Sequence, residues 1–417
     1  MVLAFSTAAG AFLIVLVNLI VVMWVNRTVT EPYMDEVFHV KQYGSILNWI
    51  KGESRFVWDE AITTFPGLYF FSAFFAWIPQ GESLYFLRGI NAVVIPLLMY
   101  ATVSKKLTKS IATAIAVLLL PTNFFYFFLY YTDAIATASV LIVFACTKRY
   151  TKQGLVGISA VLMRQTNIVW LFGLCMSEVL HRIQKQRGLS LKMSREILRD
   201  MYTSILAGIG FVVIYILNGN SIVLGHQEYH SMSLHFAQMN YFVLLAVAFA
   251  GPFEWFNILN SIKKTNFSHF LIFFFLSVAA SEFGTVVHPF ILADNRHYTF
   301  YLYRNFLSRR WIRSLAVPAL VSLSLIHGRI LKGKIPGMSK TFFWICTFLC
   351  LVPSPLFELR YFNVPLSLLF IGGSSSGENN LATSSVCFSV LVNACTLYMF
   401  LNRPFRSHDN SISRFMF

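Results

Sequence analysis

"TTFPGLYFFSAFFAWIP", residues 63–79, decides how the chain is threaded. It is apolar and near the minimum length for a membrane-crossing helix, which needs about 17 to 25 residues. Yet it opens on Pro66-Gly67 and closes on Trp77 and Pro79, as a segment lying along an interface does. Its neighbours choose between the two. An apolar first helix precedes it, ending near residue 26, and another apolar run at 84–104 leads into "KKLTK", residues 105–109. Cytosolic loops of membrane proteins collect Lys and Arg. If the N-terminus is cytosolic and 63–79 crosses, "KKLTK" lands on the far side. If 63–79 lies flat, the cluster returns to the cytosol, and this is the reading adopted.

Composition agrees with a chain threaded repeatedly through lipid. The 417 residues are 56% hydrophobic and only 12% charged, against about 25% charged in soluble domains. The formal net charge of +15 sits in short clusters, "KKLTK", "KRYTK", "HRIQKQR" and "SIKKTN". Such clusters between apolar runs argue for membrane topology and against nucleic acid as a partner. The six cysteines fall in apolar segments with no CxxC pair, so buried thiols are expected. The first apolar run exceeds a signal core of about 7 to 15 residues and lacks a basic lead, so a retained helix is expected.

Carrying the parity along the chain gives an all-α polytopic membrane protein of about 12 or 13 spans, a single integral membrane domain over 1–417. Residues 153–180 must cross an even number of times, so two short helices meeting at "RQTN", 164–167, are expected. Residues 240–258 are expected to form one returning span. Residues 27–83 form a first loop on the lumenal side. Asp35, Glu36, Asp59, Asp133, Arg164, Asp294, Arg296, His297, Glu358 and Arg360 then gather on that side.

Several of these residues have chemical potential. In "MDEVFHVKQYGSILNW", Val37, Val40, Leu47 and Ile50 mark one helical face and Asp35, His39 and Gln42 the other, which predicts an amphipathic helix on the surface. Asp35 and Glu36 also suit the positive end of a helix dipole. Alternatively, one of them is a general base at the mouth of a cavity, or the pair joins His39 around a metal. "LADNRHYTFY" (292–301) and "FELRYF" (357–362) each combine Arg with acidic and aromatic residues. Arg296 and Arg360 can grip a phosphate bidentately, or they anchor helix ends at the interface. His226 and His230 have the i, i+4 spacing of a helical metal pair, a pattern common by chance, and no metal or cofactor is expected. A transporter or ion-channel regulatory subunit is the reading from another class, because ionisable residues in membranes also mark ion pathways.

"EPYMDEVFHVKQY", "WDEAITTFPGLY", "NFFYFFLYYTDA", "MRQTNIVW", "LADNRHYTFY", "FELRYF" and "SRFMF" occur in this order. Together they closely resemble the dolichyl-phosphate-glucose-dependent alpha-1,2-glucosyltransferases of the endoplasmic reticulum. The resemblance extends over essentially the whole chain and implies a multi-pass GT-C glycosyltransferase with its active site in the lumen. The donor it implies is dolichyl phosphate glucose, and the acceptor a dolichyl-diphosphate-linked oligosaccharide used in N-glycosylation. It implies Asp35 and Glu36 as the acidic motif, with Asp35 preferred as base. His39, Trp58, Asp59, Arg164, Asp294, Arg296, His297, Tyr298, Glu358, Arg360 and Tyr361 are the candidate substrate contacts. Two positions depart from the family pattern: Gly225-His226 stands where Gly-Asp is expected, and Glu60 follows "WD" where Pro is usual.

Overall fold

The computed structural model describes residues 2–225, 227, 232–374, 379–407 and 410–417. His226 and His230, candidates by spacing, lie outside these residues. The described chain is all-α apart from one short antiparallel pair, Phe405–Arg406 with Ile412–Ser413. Its helices are α1 (Val2–Thr28), α2 (Glu36–Ile50), α3 (Gly67–Ala73), α4 (Leu84–Thr102), α5 (Ile111–Leu119), α6 (Pro121–Phe124), α7 (Thr132–Ala145), α8 (Tyr150–Met163), α9 (Asn167–Gln186) and α10 (Leu191–Leu217). Then follow α11 (Ala237–Ala250), α12 (Pro252–Ser261), α13 (Phe267–Phe283), α14 (Pro289–Ala293), α15 (Tyr298–Leu302), α16 (Val317–His327), α17 (Lys340–Leu351), α18 (Asn363–Ser374) and α19 (Asn379–Asn402).

The chain packs as two compact units, each built from separate stretches of sequence. The first comprises Met1–Ile111, Tyr126–His230 and Pro336–Cys346. Within it α4 packs on α1 and α7, and α8 packs on α7, α9 and α10. The α8–α10 crossing is close because of Gly154: a Cβ there would collide with Thr203 and the Ser204 backbone. The second comprises Ala112–Phe125, Ser231–Ile335 and Thr347–Phe417. In it α13 and α16 run antiparallel. Thr265 is hydrogen-bonded to His327 at one end (2.7 Å), and Glu282 meets Arg310, Arg313 and Ser314 at the other. α11 packs on α13, α16, α18 and α19.

Residues 63–79 form no helix long enough to cross a membrane. Pro66 precedes α3, which has only 7 residues and is about 10 Å long at 1.5 Å per residue. Turns follow it, and Trp77 is left exposed. The break at "RQTN" is also present: Arg164 is extended (φ −157°, ψ 130°) between α8 and α9.

Three expectations change. α2 forms, but its burial does not follow the expected faces: Glu36, His39 and Gln42 are buried together with Tyr43, Ile46 and Leu47, while Val37, Phe38, Trp49 and Ile50 are exposed. A soluble helix hides its apolar stripe, whereas a helix on lipid can turn that stripe outward and keep its polar face for protein partners. Residues 240–258 are not one continuous helix, because Gly251 (φ 82°) and Pro252 bend α11 against α12 by 112°. Gly251 tolerates the left-handed backbone, and Pro252 supplies the first residue of the next helix without an amide to satisfy.

Four described helices are long and apolar enough to cross a membrane alone, or up to six if each of two bent pairs is one span. That is fewer than the 12 or 13 expected. Much of the remaining apolar sequence forms helices of 10 to 17 residues, such as α13 and α17.

Candidate active site

In the first unit the site is built around the start of α2. Met34 adopts a left-handed conformation (φ 57°), an arrangement that costs a non-glycine residue of the order of 1 kcal/mol or more. This turn delivers Asp35 to the N-cap of α2, where its side chain makes no capping hydrogen bond. Asp35 is half-buried, and its amide donates to the Tyr131 hydroxyl (3.0 Å).

Glu36, the next residue, has a different environment. Its carboxylate is fully buried and accepts from Arg88 Nε (2.9 Å) and Nη2 (2.6 Å), and from the amides of Tyr33 (2.9 Å) and Tyr130 (2.6 Å). Arg88, also fully buried, donates further to the carbonyls of Val29 (2.6 Å) and Glu31 (3.2 Å) and to Asn26 Oδ1 (3.2 Å). These bonds use all five guanidinium N–H groups. A buried ion pair is tolerable only when its remaining donors and acceptors are satisfied in this way. Glu36 therefore acts as a structural clamp joining α1, α2, α4 and the turn before α7, and no face of it is left for a substrate. The acidic pair of the sequence divides into one saturated acid and one accessible acid.

The turn before α7 is fixed just as firmly. Asn91 donates to the carbonyls of Leu129 (2.8 Å) and Tyr131 (3.2 Å), and the Tyr130 hydroxyl bonds Ser72 (2.9 Å). This sets the Tyr131 hydroxyl at Asp35 and places Asp133 in the first turn of α7, where it pairs with Arg164.

Tyr69 on α3 gathers the other candidates. Its hydroxyl bonds His39 Nδ1 (2.7 Å), and its ring lies 6.1 Å from that of Trp58. Burial above all, then Tyr130 and the charges of Asp59 and Asp35, holds its phenol well above the ordinary value, so it stays a neutral donor. Asp59 is positioned by Gln42, which accepts its amide (2.7 Å), and its carboxylate meets Lys41 (3.1 Å). The loop at 222–225 closes on the same region: Leu224 donates to the Thr63 carbonyl, and Gln165 bridges Thr63 and Ile222. A side chain at Gly225 would strike the Glu60 carbonyl. Asp35, His39, Trp58 and Asp59 are thus brought together, and Arg164 is held by Asp133.

The second unit holds the remaining candidates. Arg296 grips Asp294 through Nε (2.7 Å) and Nη2 (2.9 Å), and His297 Nε2 lies 3.7 Å from the same carboxylate. Burial works to raise the pKa of Asp294. The hydrogen bonds from Arg296 and the charge of His297 outweigh it and hold the carboxyl below its ordinary value. Residues 414–417 run alongside: Tyr298 donates to the Met416 carbonyl (3.1 Å), Met416 to that of Arg296 (2.9 Å), and the Tyr298 and Phe417 rings meet edge to face, 5.2 Å between centroids. Arg360 pairs with Glu358, and its guanidinium lies 6.0 Å from the Tyr361 ring centroid.

Sequence reasoning missed Arg88, Tyr69 and Tyr131. Arg88 did leave a signal, as an isolated cation within the apolar "LYFLRGINAVV", because an ionisable residue inside a membrane-type helix must have a partner. The tyrosines had none, being two among 18. Among the described residues no cluster of three His, Cys, Asp or Glu side chains is arranged to hold a metal ion.

A polytopic all-helical membrane protein with a half-buried carboxylate beside a saturated ion pair is the class these features define. The profile of the DIE2/ALG10 family matches residues 29–196 and 184–371. The chain belongs to that family. Among its relatives is the Arabidopsis thaliana protein named Dol-P-Glc:Glc(2)Man(9)GlcNAc(2)-PP-Dol alpha-1,2-glucosyltransferase, 31% identical over 94% of this chain and 96% of that one. Proteins of the same name from Homo sapiens (30% identical, 94% of each chain) and Candida albicans (27%, covering 94% and 95%) are also similar. No solved structure matches the chain.

Proposed function

We propose that this chain is a dolichyl-phosphate-glucose alpha-1,2-glucosyltransferase of the endoplasmic-reticulum membrane, working on the lumenal side. It transfers glucose from dolichyl phosphate glucose to the 2-hydroxyl of the terminal glucose on a diglucosylated dolichyl-diphosphate oligosaccharide. The family's GT-C architecture is compatible with the all-helical fold. The observation that carries the mechanism is the split between Asp35 and Glu36. One carboxylate stays accessible at a strained turn, and its neighbour locks that turn in place.

In the transfer, the acceptor hydroxyl attacks the anomeric carbon as Asp35 takes its proton. The bond from that carbon to the phosphate oxygen breaks, and dolichyl phosphate leaves with the electron pair. The beta-linked sugar arrives alpha-linked. A phosphate monoester is a good leaving group and needs stabilisation of charge more than a proton. The candidate substrate contacts are His39, Trp58, Asp59 and Arg164 in the first unit, and Asp294, Arg296, His297, Tyr298, Glu358, Arg360 and Tyr361 in the second. A metal held by Asp35, Glu36 and His39 does not fit, because Glu36 is consumed by Arg88. Activity is therefore expected to persist in excess chelator, and loss with recovery on adding magnesium or manganese would overturn this point.

The test is to supply the purified protein with dolichyl phosphate glucose and the diglucosylated acceptor, and to follow the glycan mass. The reading requires one added hexose, alpha-1,2-linked. An unchanged glycan under conditions where the protein is folded would reject it.

A further inference from the structure

The two arginine loops of the second unit are each electrically balanced by an acid two residues away, Asp294 against Arg296 and Glu358 against Arg360. A phosphate headgroup also needs a cation that is not already neutralised. Such a cation lies just beyond, in the turn after α15. This segment, Tyr303–Leu307, is a π-helical turn, a wider coil than the α-helix that is frequent at functional sites. It opens a cavity of about 320 Å³ lined by Ile291, Leu292, Phe300, Tyr303, Arg304 and Ser308. That volume is at the small end of ligand pockets, roughly 300 to 1,000 Å³.

Four of the six lining residues are apolar or aromatic, and one is a cation. Arg304 has no acidic partner among the described residues. Its guanidinium rests over the Phe300 ring, 5.8 Å from the centroid, and its carbonyl accepts from Ser308 (2.8 Å). Around the cavity Leu292, Phe306, Trp311 and Leu315 are all more than half exposed, an apolar and aromatic surface of the kind that faces lipid at headgroup depth. Arg309 next to it also lacks an acidic partner among the described residues, and Arg310 and Arg313 share Glu282. A guanidinium at the edge of such a surface is costly unless an anion meets it.

We propose that this cavity is the seat of the donor's polyprenyl phosphate, with Arg304 holding the phosphate and the Ile291, Leu292, Phe300 and Tyr303 walls taking the first isoprene units. The inference rests on the glucosyltransferase reading and adds a site to it. Shape and charge select the ligand together. The apolar walls suit an isoprenoid, and the Arg304 guanidinium, with its forked donors, suits a single phosphate. The donor's monophosphate is favoured over the acceptor's diphosphate because Arg304 is the one cation among the residues that line the cavity.

The test uses full-length purified protein and a polyprenyl phosphate carrying a diazirine on the isoprene next to the phosphate. After irradiation, labelled peptides are mapped by mass spectrometry. The proposal requires labelling within residues 291–308, competed by dolichyl phosphate but not by dolichol or by phosphatidylserine in mixed micelles. Arg304→Ala should weaken this labelling by about tenfold or more, the worth of one charge-assisted hydrogen bond. Arg304→Lys should retain part of it, guarding against a folding defect, and Lys263→Ala at the opposite end of α13 should leave it unchanged. Labelling elsewhere, equal competition by dolichol or phosphatidylserine, or preferential competition by dolichyl diphosphate would overturn it. Because labelling needs no turnover, a protein that binds the probe here but adds no glucose would refute the proposed activity alone.

Discussion

Two kinds of arginine–carboxylate pair occur in this molecule, and they differ in what surrounds them. Glu36 and Arg88 are 52 residues apart, fully buried, and joined by two hydrogen bonds within a network that satisfies both groups. Asp294 with Arg296 and Glu358 with Arg360 are two residues apart, and each side chain keeps between 17% and 36% of its exposure. The first kind ties distant elements together, and removing half of it strands a charge without water. The second kind shapes a single loop and leaves both charges near solvent, where a substrate can compete for them. The same two side-chain types thus serve architecture in one place and, in the function proposed here, recognition in the other.

The sharpest way to break this contrast is Arg88→Ala. Leaving Glu36 buried without its cation should cost about 3 to 5 kcal/mol, the penalty for orphaning one member of a buried pair. The expected result is a large fall in folded yield and melting temperature. Pairing it with Glu36→Leu should recover part of the loss, because no unpaired charge then remains. A fully stable Arg88→Ala protein would mean that the network does not lock the turn.

Next in size, Arg296→Ala or Arg360→Ala should cost about 1.5 to 3 kcal/mol, as for a hydrogen bond to a charged group. The cost should appear in donor KM or turnover, with the melting temperature nearly unchanged. Arg360→Lys should rescue only partly, since an ammonium lacks the planar fork. If both alanine variants lose folded yield and keep wild-type donor kinetics, these arginines are anchors like Arg88.

A smaller effect is expected from pH. Asp294 is held below its ordinary pKa, so the stability it contributes is fully present above the ordinary carboxylate range, near pH 4. It is lost as pH falls through the depressed value. Amide exchange at Tyr298 and Met416, whose hydrogen bonds join the loop to residues 414–417, should therefore quicken in acid before global unfolding. Equal slowing at all pH values would detach Asp294 from that junction.

The smallest effect is expected at Lys41→Ala. Lys41 is 76% exposed against Asp59, and such pairs are worth about 0 to 1 kcal/mol. A loss as large as that of Arg88 would erase the distinction between exposed and buried pairs.

Much of this was legible in the sequence. Basic clusters and apolar run lengths gave the membrane class, the break at 164–167 and the lack of a membrane-length helix at 63–79, because charge bias and helix length act locally along the chain. The acidic pair at 35–36 was visible too, but not its division of labour. That division depends on Arg88, Tyr130 and Tyr131, which reach it only through folding. The burial of α2 was misjudged because periodicity shows that two faces differ, not which residues the rest of the protein covers. The bend at Gly251-Pro252 was written in the chain as a glycine before a proline, and the apolar residues on both sides obscured it.

The central claim is that Asp35 takes the acceptor's proton while Glu36 only positions it. The most direct measurement is the single-turnover rate of glucose transfer by purified wild-type and Asp35→Asn proteins, with donor binding and melting temperature measured alongside. The account predicts unchanged binding and stability with a rate lower by about 100-fold or more, since acid–base catalysis is typically worth 10² to 10⁴. Transfer by Asp35→Asn at close to the wild-type rate would contradict it and leave Asp59 as the next carboxylate to test.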